Sequence, residues 1–334
     1  MFKSFVSLLV AASFPVLAIA QMEETPSVET PSTESSESSG GVRAPIFVDR
    51  GYFLPRGQFN LSLSAGFMSS TTKTENALLV EREYIMTGSE LKAGLSYGII
   101  NDLSVFLGTG YIPNQETENQ TTLQKSKSKG MGESSVGVAY RFLNQSTTMP
   151  FDAVLGFVYS PKAAVSKSAT TTDDGNAARG GDAKSVSLSF FRRVSTGEFG
   201  LRITHDMYGE QESEDATTGD LSKADASAST SASGTAQFEV SEKFYIMAGV
   251  GLAQIAERMS TEVGSGDVTT TEAYILPTFS GGLRIIAVPQ KAFVDLGLSV
   301  ATAQDIEVTS STGINGKITS VAATVLTAGV SIEF

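Results

Sequence analysis

The sequence predicts an all-β protein: a closed, antiparallel, up-and-down transmembrane β-barrel of about 12 strands. Three observations predict this fold. Residues 57–334 repeat short segments in which apolar and polar side chains alternate, which is the period of a strand with two different faces. The links between these segments are alternately short and long, as in barrels with short periplasmic turns and long extracellular loops. After residue 20, no apolar run reaches the roughly 18 residues that a membrane helix needs.

The first twenty residues have the three parts of a secretory signal peptide. Lys3 supplies the positive charge, residues 5–17 form an apolar run, and Ala18 and Ala20 are the small residues of a cleavage site. We therefore expect the chain to be exported and residues 1–20 to be removed.

Residues 21–56 precede the first strand and divide into two parts. Residues 21–41 are mostly Glu, Ser, Thr and Pro, a composition that cannot bury enough apolar surface to fold. Residues 42–56, the pre-barrel segment, instead carry Phe47 and Phe53 between two prolines. We interpret this segment as a tether, with a partial plug of the barrel mouth as the alternative.

The first predicted strand shows the pattern that the later ones repeat. Phe59, Leu61 and Leu63 lie on one face, and Asn60 and Ser62 lie on the other. The alternation recurs in residues 91–99, 103–111, 136–142, 151–159, 186–190, 199–203, 236–240, 244–252, 275–285, 294–300 and 326–334. This gives about 12 strands, an even number, as single-chain bacterial barrels have.

The links are sorted by length. Tight turns are predicted at 101–102, 196–197, 241–242 and 289–290, and a longer turn at 144–149. Long polar stretches lie near 70–80, 113–130, 161–184, 209–228, 257–271 and 303–318. This regular sorting favours a membrane barrel over a soluble β-sandwich, in which nothing would separate short links from long ones.

One hairpin allows its register to be predicted. If residues 289–290 form a two-residue turn, Val288 lies opposite Lys291 and Ile285 opposite Val294, which keeps the apolar residues on one face. The same register places Arg284 directly opposite Asp295 on the other face. Because an ion pair facing lipid would be costly, this second face should be the lumen.

Two parts of the sequence resemble known outer-membrane proteins. The chain ends in Val330-Ser331-Ile332-Glu333-Phe334, which resembles the C-terminal insertion signal that the barrel assembly machinery recognises. Residues 96–108 and 129–142, together with Val48-Asp49-Arg50, resemble segments of the outer-membrane transporter family named for the MetA pathway of phenol degradation, although Gly51 stands where that family has proline. The resemblance implies a channel or uptake role in the outer membrane of a Gram-negative bacterium, and no site residue comes with it.

Composition argues against several other functions. The formal net charge of −12 does not favour nucleic-acid binding, which requires cations to neutralise phosphates. The absence of Cys leaves no thiolate for a metal site. Gly130 and Gly132 enter a strand, whereas a dinucleotide-binding loop opens a helix, and residues 173–175 lack the spacing of a calcium loop. We therefore expect no cofactor.

His205 is the only histidine and thus the obvious candidate for a catalytic base. It follows Phe199, Leu201 and Ile203 on the lipid-facing side of its strand. We therefore interpret it as a residue of the outer membrane interface, and we expect that the protein is not an enzyme.

Charged residues on the predicted lumen side form the candidate site. They are Glu90, Lys92, Arg141, Asp152, Arg202, Glu239, Arg284 and Asp295. They are expected to form either a mixed-charge constriction that filters solutes or a structural network that fills a barrel of intermediate width.

Two hypotheses for function follow. The first is an outer-membrane channel or transporter-like barrel, embedded in lipid, that passes small polar or amphipathic solutes. The second is a structural or surface-recognition barrel that acts through its long extracellular loops.

Overall fold

The computed structural model describes residues 54, 56–76, 80–146, 148–167, 175–178, 180–194, 196–214, 221–288, 291–312 and 315–334. Over these residues the fold is a barrel of twelve long strands and six short loop strands. The long strands are β1 Phe59–Asn76, β2 Glu81–Ile100, β3 Leu103–Asn119, β4 Gln124–Leu143, β5 Asp152–Ser160, β6 Ala183–Val194, β7 Gly197–Tyr208, β8 Ser227–Ser241, β9 Phe244–Ile255, β10 Tyr274–Val288, β11 Ala292–Ser310 and β12 Gly316–Glu333.

The twelve long strands close on themselves. Each strand pairs antiparallel with the next one along the chain. The last strand, β12, then pairs with β1, from Asn60 opposite Glu333 to Asn76 opposite Gly316. The predicted fold class, a closed antiparallel barrel of twelve strands, is confirmed.

The two faces of the wall differ as the alternation predicts. Leu63, Leu107 and Leu201 lie on the outward face and are exposed, because nothing in the protein covers them. Their neighbours in sequence point inward and are buried or half-buried. An outward apolar band of this kind is what a barrel presents to hydrocarbon. Among the described residues, no helix is long and apolar enough to cross a membrane.

The hairpin between β10 and β11 has the predicted register along most of its length. Leu283 lies opposite Leu296, Arg284 opposite Asp295 and Ile285 opposite Val294. At the turn, the Lys291 N–H donates to the Val288 carbonyl at 3.1 Å, as a two-residue turn requires. The strand pairing differs from the prediction there, because the register shifts after Ile286 and Val288 pairs with Ala292. The predicted turn residues 289–290 lie outside the described residues.

Six short strands continue the wall beyond the membrane on the long-loop side. They are Ser166–Lys167, Gly175–Asn176, Gln211–Glu214, Leu221–Ala224, Arg258–Glu262 and Val268–Thr271. The last four pair in chain order, and the final one pairs with β11. The loops of this side are therefore partly organised as a sheet.

Three of the six polar stretches that were predicted as loops are mainly strand. Residues 70–76, 113–119 and 303–310 continue β1, β3 and β11. Their backbones keep their pairing partners above the apolar band, where both faces of a strand can be polar. The stretches at 161–184, 209–228 and 257–271 do contain the long connections, between β5 and β6, β7 and β8, and β9 and β10.

The short-turn end also holds both ends of the barrel wall. Phe59 and Phe334 exchange backbone hydrogen bonds of 2.9 and 3.1 Å, and their rings stack at 6.1 Å between centroids. Just before this point Leu54 is buried, and its N–H donates to the inward-facing Ser104 Oγ at 3.0 Å. The predicted signal peptide (1–20), the tail (21–41) and most of the pre-barrel segment lie outside the described residues.

Candidate functional site

The inward face of the barrel is the candidate site, and it divides into two zones. The lower zone lies toward the short turns and combines paired charges with polar and aromatic side chains. The upper zone lies toward the loops and is lined on one side by apolar side chains. The predicted charged residues fall mainly in the lower zone, where Arg141, Asp152, Glu239, Arg284 and Asp295 stand within a few residues of a short turn.

Arg284 and Asp295 form a bidentate ion pair within the lower zone. Arg284 Nε lies 2.6 Å from Asp295 Oδ1, and Arg284 Nη2 lies 2.9 Å from Asp295 Oδ2. Both side chains are buried, and the guanidinium lies 5.8 Å from the ring centroid of Phe293. The planar fork of arginine matches a carboxylate in this geometry, so both charges are compensated within the wall.

Arg141 and Asp152 bind the short turns. Arg141 Nη2 lies 2.8 Å from Oδ1 of Asp102, which follows β2, and the same nitrogen donates to the carbonyl of Asn101 at 3.2 Å. Asp152 is buried, and its Oδ1 accepts the backbone N–H of Gln145 at 2.7 Å. These contacts fix the turns, which favours a structural role for both residues.

Glu90, Lys92 and Arg202 stand farther from the turns. Lys92 Nζ and Glu90 Oε2, which are half-buried on β2, lie 3.2 Å apart. Arg202 is buried on β7, and its Nε donates to Ser189 Oγ of β6 at 2.8 Å. The eight predicted residues therefore do not form one cluster, because they line the wall at different heights and mostly bind near neighbours.

The structure adds buried polar side chains that the sequence analysis left out of the site. Asn60, Glu198, Gln237 and Glu333 all face inward in the lower zone and are almost completely buried. Their place in the alternating pattern could have identified them, because Asn60, for example, lies between the outward-facing Phe59 and Leu61 in the sequence. The prediction considered charged residues alone, which excluded the amides, and among the charged residues it omitted Glu198 and Glu333.

Aromatic side chains also occupy the lower zone. Tyr245, Ile286 and Phe293 pack together and are buried, and Phe191 packs with Ala139 and Val154 nearer β5. Their packing against the wall makes this zone a mixed polar and aromatic layer.

The upper zone is apolar along six neighbouring strands, β9 to β12, β1 and β2. Its buried cluster consists of Met68, Tyr84, Met86, Ala253, Leu276, Ala301, Ala303, Ile306, Val308, Ile318, Val321, Ala323 and Val325. On β11 the alternation of inward and outward side chains is interrupted at Asp305, whose φ of 57° is in the left-handed region. Ala303 below this residue and Ile306 above it therefore both face inward.

His205 lies on the outward face of β7, as predicted, and is exposed. Its Nδ1 is 2.9 Å from Thr230 Oγ1 on β8. A base in this position faces away from the lumen. Among the described residues, no group of three or more His, Cys, Asp or Glu side chains could hold a metal ion.

Comparison with known proteins supports the fold. No family model matches the chain, and no curated protein matches it. Among solved structures, the chain is similar to the COG4313 outer membrane channel from Pseudomonas putida F1, with a TM-score of 0.54 and 9% identity over 89% of this chain and 100% of that chain.

Two further solved structures match with lower TM-scores. The NanC porin matches with a TM-score of 0.42 and 10% identity over 79% of this chain and 98% of that chain. The CymD monoaromatic hydrocarbon channel matches with a TM-score of 0.41 and 13% identity over 84% of this chain and 89% of that chain. At such identities the likeness to the COG4313 channel shows the fold alone, which is that of an outer-membrane β-barrel.

Proposed function

We propose that the protein is a channel in the outer membrane of a Gram-negative bacterium and that it passes small amphipathic solutes. The observation that carries this proposal is the division of the inner wall into a lower zone of mixed polar and aromatic side chains and an upper zone that is apolar on one side. Barrels of this type usually have a polar interior throughout. A wall with both characters suits a solute that has an apolar body and a polar group.

The upper zone supplies the apolar contacts. Met68 and Met86 contribute flexible, polarizable thioethers, which adapt to ligands of different shape. Leu276 and Ile306 add aliphatic surface on β10 and β11.

The lower zone supplies polar contacts, and the positive charges of its arginines Arg284 and Arg141 are each paired with a carboxylate. Arg284 is compensated by Asp295 and Arg141 by Asp102. A polar group that reaches this layer therefore meets hydrogen-bonding groups held in fixed positions.

Reconstitution into planar bilayers and liposomes tests the proposal. We expect ion conductance from the folded protein and faster entry of benzyl alcohol than of a sugar of similar size. In the matched variant Leu276→Asn, which makes the upper zone more polar, this preference should decrease while conductance remains. A folded wild-type protein that shows neither conductance nor solute flux would contradict the proposal.

A surface-recognition role is the second candidate, and the loop strands favour it. Leu221–Ala224 pairs with Arg258–Glu262, which pairs with Val268–Thr271. These pairings join two connections, between β7 and β8 and between β9 and β10, into one sheet that could present a fixed surface. Shortening these loops should then abolish a binding phenotype and leave solute flux unchanged, which the channel proposal does not predict.

Two finer assignments rest on the sequence. The resemblance to the transporter family named for the MetA pathway of phenol degradation supports the channel proposal. The exposed Phe334 at the end of the wall supports recognition by the barrel assembly machinery. Catalysis forms no part of the proposal, because His205 faces outward.

A further inference from the structure

The contact between β12 and β1 carries an unusual polar group of side chains in the lower zone. Asn60 lies directly opposite Glu333, and both side chains face inward. Side chains that are directly opposite on antiparallel strands have Cβ atoms about 4.5–5.5 Å apart. Ser331, two residues before Glu333, shares its face of β12. Three polar side chains of different chemistry thus lie on the inward face of the same strand pair.

These side chains are buried but have no hydrogen-bond partner within the described chain. Asn60 is 0% exposed and Glu333 is 5% exposed. Five side-chain atoms have no hydrogen-bond partner: Nδ2 and Oδ1 of Asn60, Oε1 and Oε2 of Glu333, and Oγ of Ser331. Because buried polar groups in native proteins are almost always paired and an unpaired one is costly, these atoms require a partner from outside the wall.

Among the described residues, the carboxyl group of Glu333 also forms no ion pair. Arg284 is close enough to act electrostatically on this carboxyl group, but its Nε and Nη2 donate to Asp295. Lys291 contributes its backbone carbonyl, which accepts the N–H of Glu333 at 2.8 Å. Glu239 adds a further half-buried carboxylate to the lower zone. The described residues therefore provide Glu333 with a backbone hydrogen bond but with no partner for its carboxyl oxygens.

From these observations we infer that Asn60, Ser331 and Glu333 form a binding site for the ammonium group of a small organic cation. An ammonium group has three donors and no acceptor. The carboxylate of Glu333, the amide oxygen of Asn60 and the hydroxyl of Ser331 offer three kinds of acceptor. The inference deepens the proposed function, on which it rests, by assigning a positive charge to the polar end of the solute.

Binding can be measured without any assumption about transport. Isothermal titration calorimetry of the refolded, detergent-solubilised protein with n-butylammonium chloride should show binding, and sodium butyrate and n-butanol should not bind at the same concentrations. The Glu333→Gln variant should bind n-butylammonium at least about tenfold more weakly, since a hydrogen bond to a charged group contributes about 1.5–3 kcal/mol. The control Glu262→Gln, on a loop strand outside the barrel, should bind as the wild type does.

A second variant, on β1, tests the inference without changing the last strand, where a substitution could prevent folding. Asn60→Asp, on β1, places a second carboxylate opposite Glu333 and should tighten binding of n-butylammonium. The inference is overturned if the wild type does not bind the probe or binds butanol equally well. It is also overturned if a folded Asn60→Asp variant binds no more tightly than the wild type.

Bilayer measurements then separate this inference from the proposed function. Binding that depends on Glu333 in a protein without conductance would support the site and contradict the channel. Conductance in a protein that does not bind n-butylammonium would support the channel and overturn the site.

Discussion

Arg284 illustrates how a single inward side chain combines several contacts. Its guanidinium makes two hydrogen bonds to Asp295 and lies near the ring of Phe293. Each partner is on the neighbouring strand β11, so the three residues connect β10 to β11 below the apolar upper zone. Removing one charge leaves the other buried without its partner, which is usually more costly than removing both.

The Asp295→Ala variant should therefore lower the free energy of unfolding by about 3–5 kcal/mol. Urea titration of the protein folded into lipid vesicles measures this quantity. The double variant Arg284→Leu, Asp295→Leu should lose less free energy of unfolding than the sum of the losses in the single variants Arg284→Leu and Asp295→Leu. Additive losses would mean that the two side chains do not stabilise each other.

The sequence predicted some of the site at this scale and missed the rest for a definite reason. The opposition of Arg284 and Asp295 followed from hairpin register alone, because both strands and their turn are close in sequence. The opposition of Asn60 and Glu333 joins the first and last strands. Their relative register depends on how the whole barrel closes, which no local pattern determines.

At the level of strand pairs, Phe106 and Gly137 show how β3 packs against β4. The two residues lie opposite each other, and the ring of Phe106 occupies the space where a Cβ of residue 137 would stand. Glycine allows the ring to lie flat against the neighbouring backbone, an arrangement used to pack aromatic residues in barrels.

Gly137→Ala should displace the ring of Phe106 and lower the free energy of unfolding by about 1–3 kcal/mol. Gly66→Ala is the matched control, because Gly66 also faces inward and a Cβ there would meet no atom closer than 3.8 Å. Urea titration in vesicles compares the two variants. Equal losses at both positions would show that the contact with Phe106 is not responsible.

The outer end of the β3–β4 hairpin carries exposed ion pairs that depend on pH. Lys125 Nζ lies 2.9 Å from Glu116 Oε1, and its hydrogen bond lowers the pKa of Glu116 from the usual 4.5. Since the folded pKa is the lower one, the pair stabilises the hairpin above pH 4.5, and this contribution is lost as the pH falls through the folded value.

Comparing Glu116→Gln with the wild type between pH 7 and pH 3 measures this contribution. We expect a small loss of stability in the variant at pH 7, because the pair is exposed to solvent, and no difference at pH 3. The loss at pH 7 should also shrink in concentrated salt. A difference that grows on acidification would contradict the assigned direction of the shift.

The strands themselves were predictable only where their two faces differ. Within the apolar band, alternation identified all twelve long strands. Above it, residues such as Thr72 and Thr74 remain paired although no hydrocarbon distinguishes the two faces. The same reason explains why the switch of parity at Asp305 was missed, since a change of face within a polar stretch leaves no mark on the hydrophobic pattern.

For the whole molecule, the barrel predicts a definite orientation in the membrane. The short turns should face the periplasm and the loop strands the cell exterior. The chain contains no Cys, so a single introduced thiol reports its location without background.

Ser265→Cys, beside Val268–Thr271, should react with a membrane-impermeant maleimide on intact cells. Lys243→Cys, in the short turn between β8 and β9, should react only after the outer membrane is permeabilised. Gel-shift labelling measures both rates, and lysed cells provide the control for thiol reactivity. The reversed pattern would mean that the loops face the periplasm.

The pairing of β12 with β1 makes assembly an all-or-none event. Until the last strand is in place, the sheet has two free edges whose N–H and C=O groups have no partners, and free edges recruit other chains. A copy lacking Gly316–Glu333 would leave β1 and β11 open together. Such a copy should therefore aggregate or join a second chain edge to edge, whereas the closed ring is complete as a single subunit.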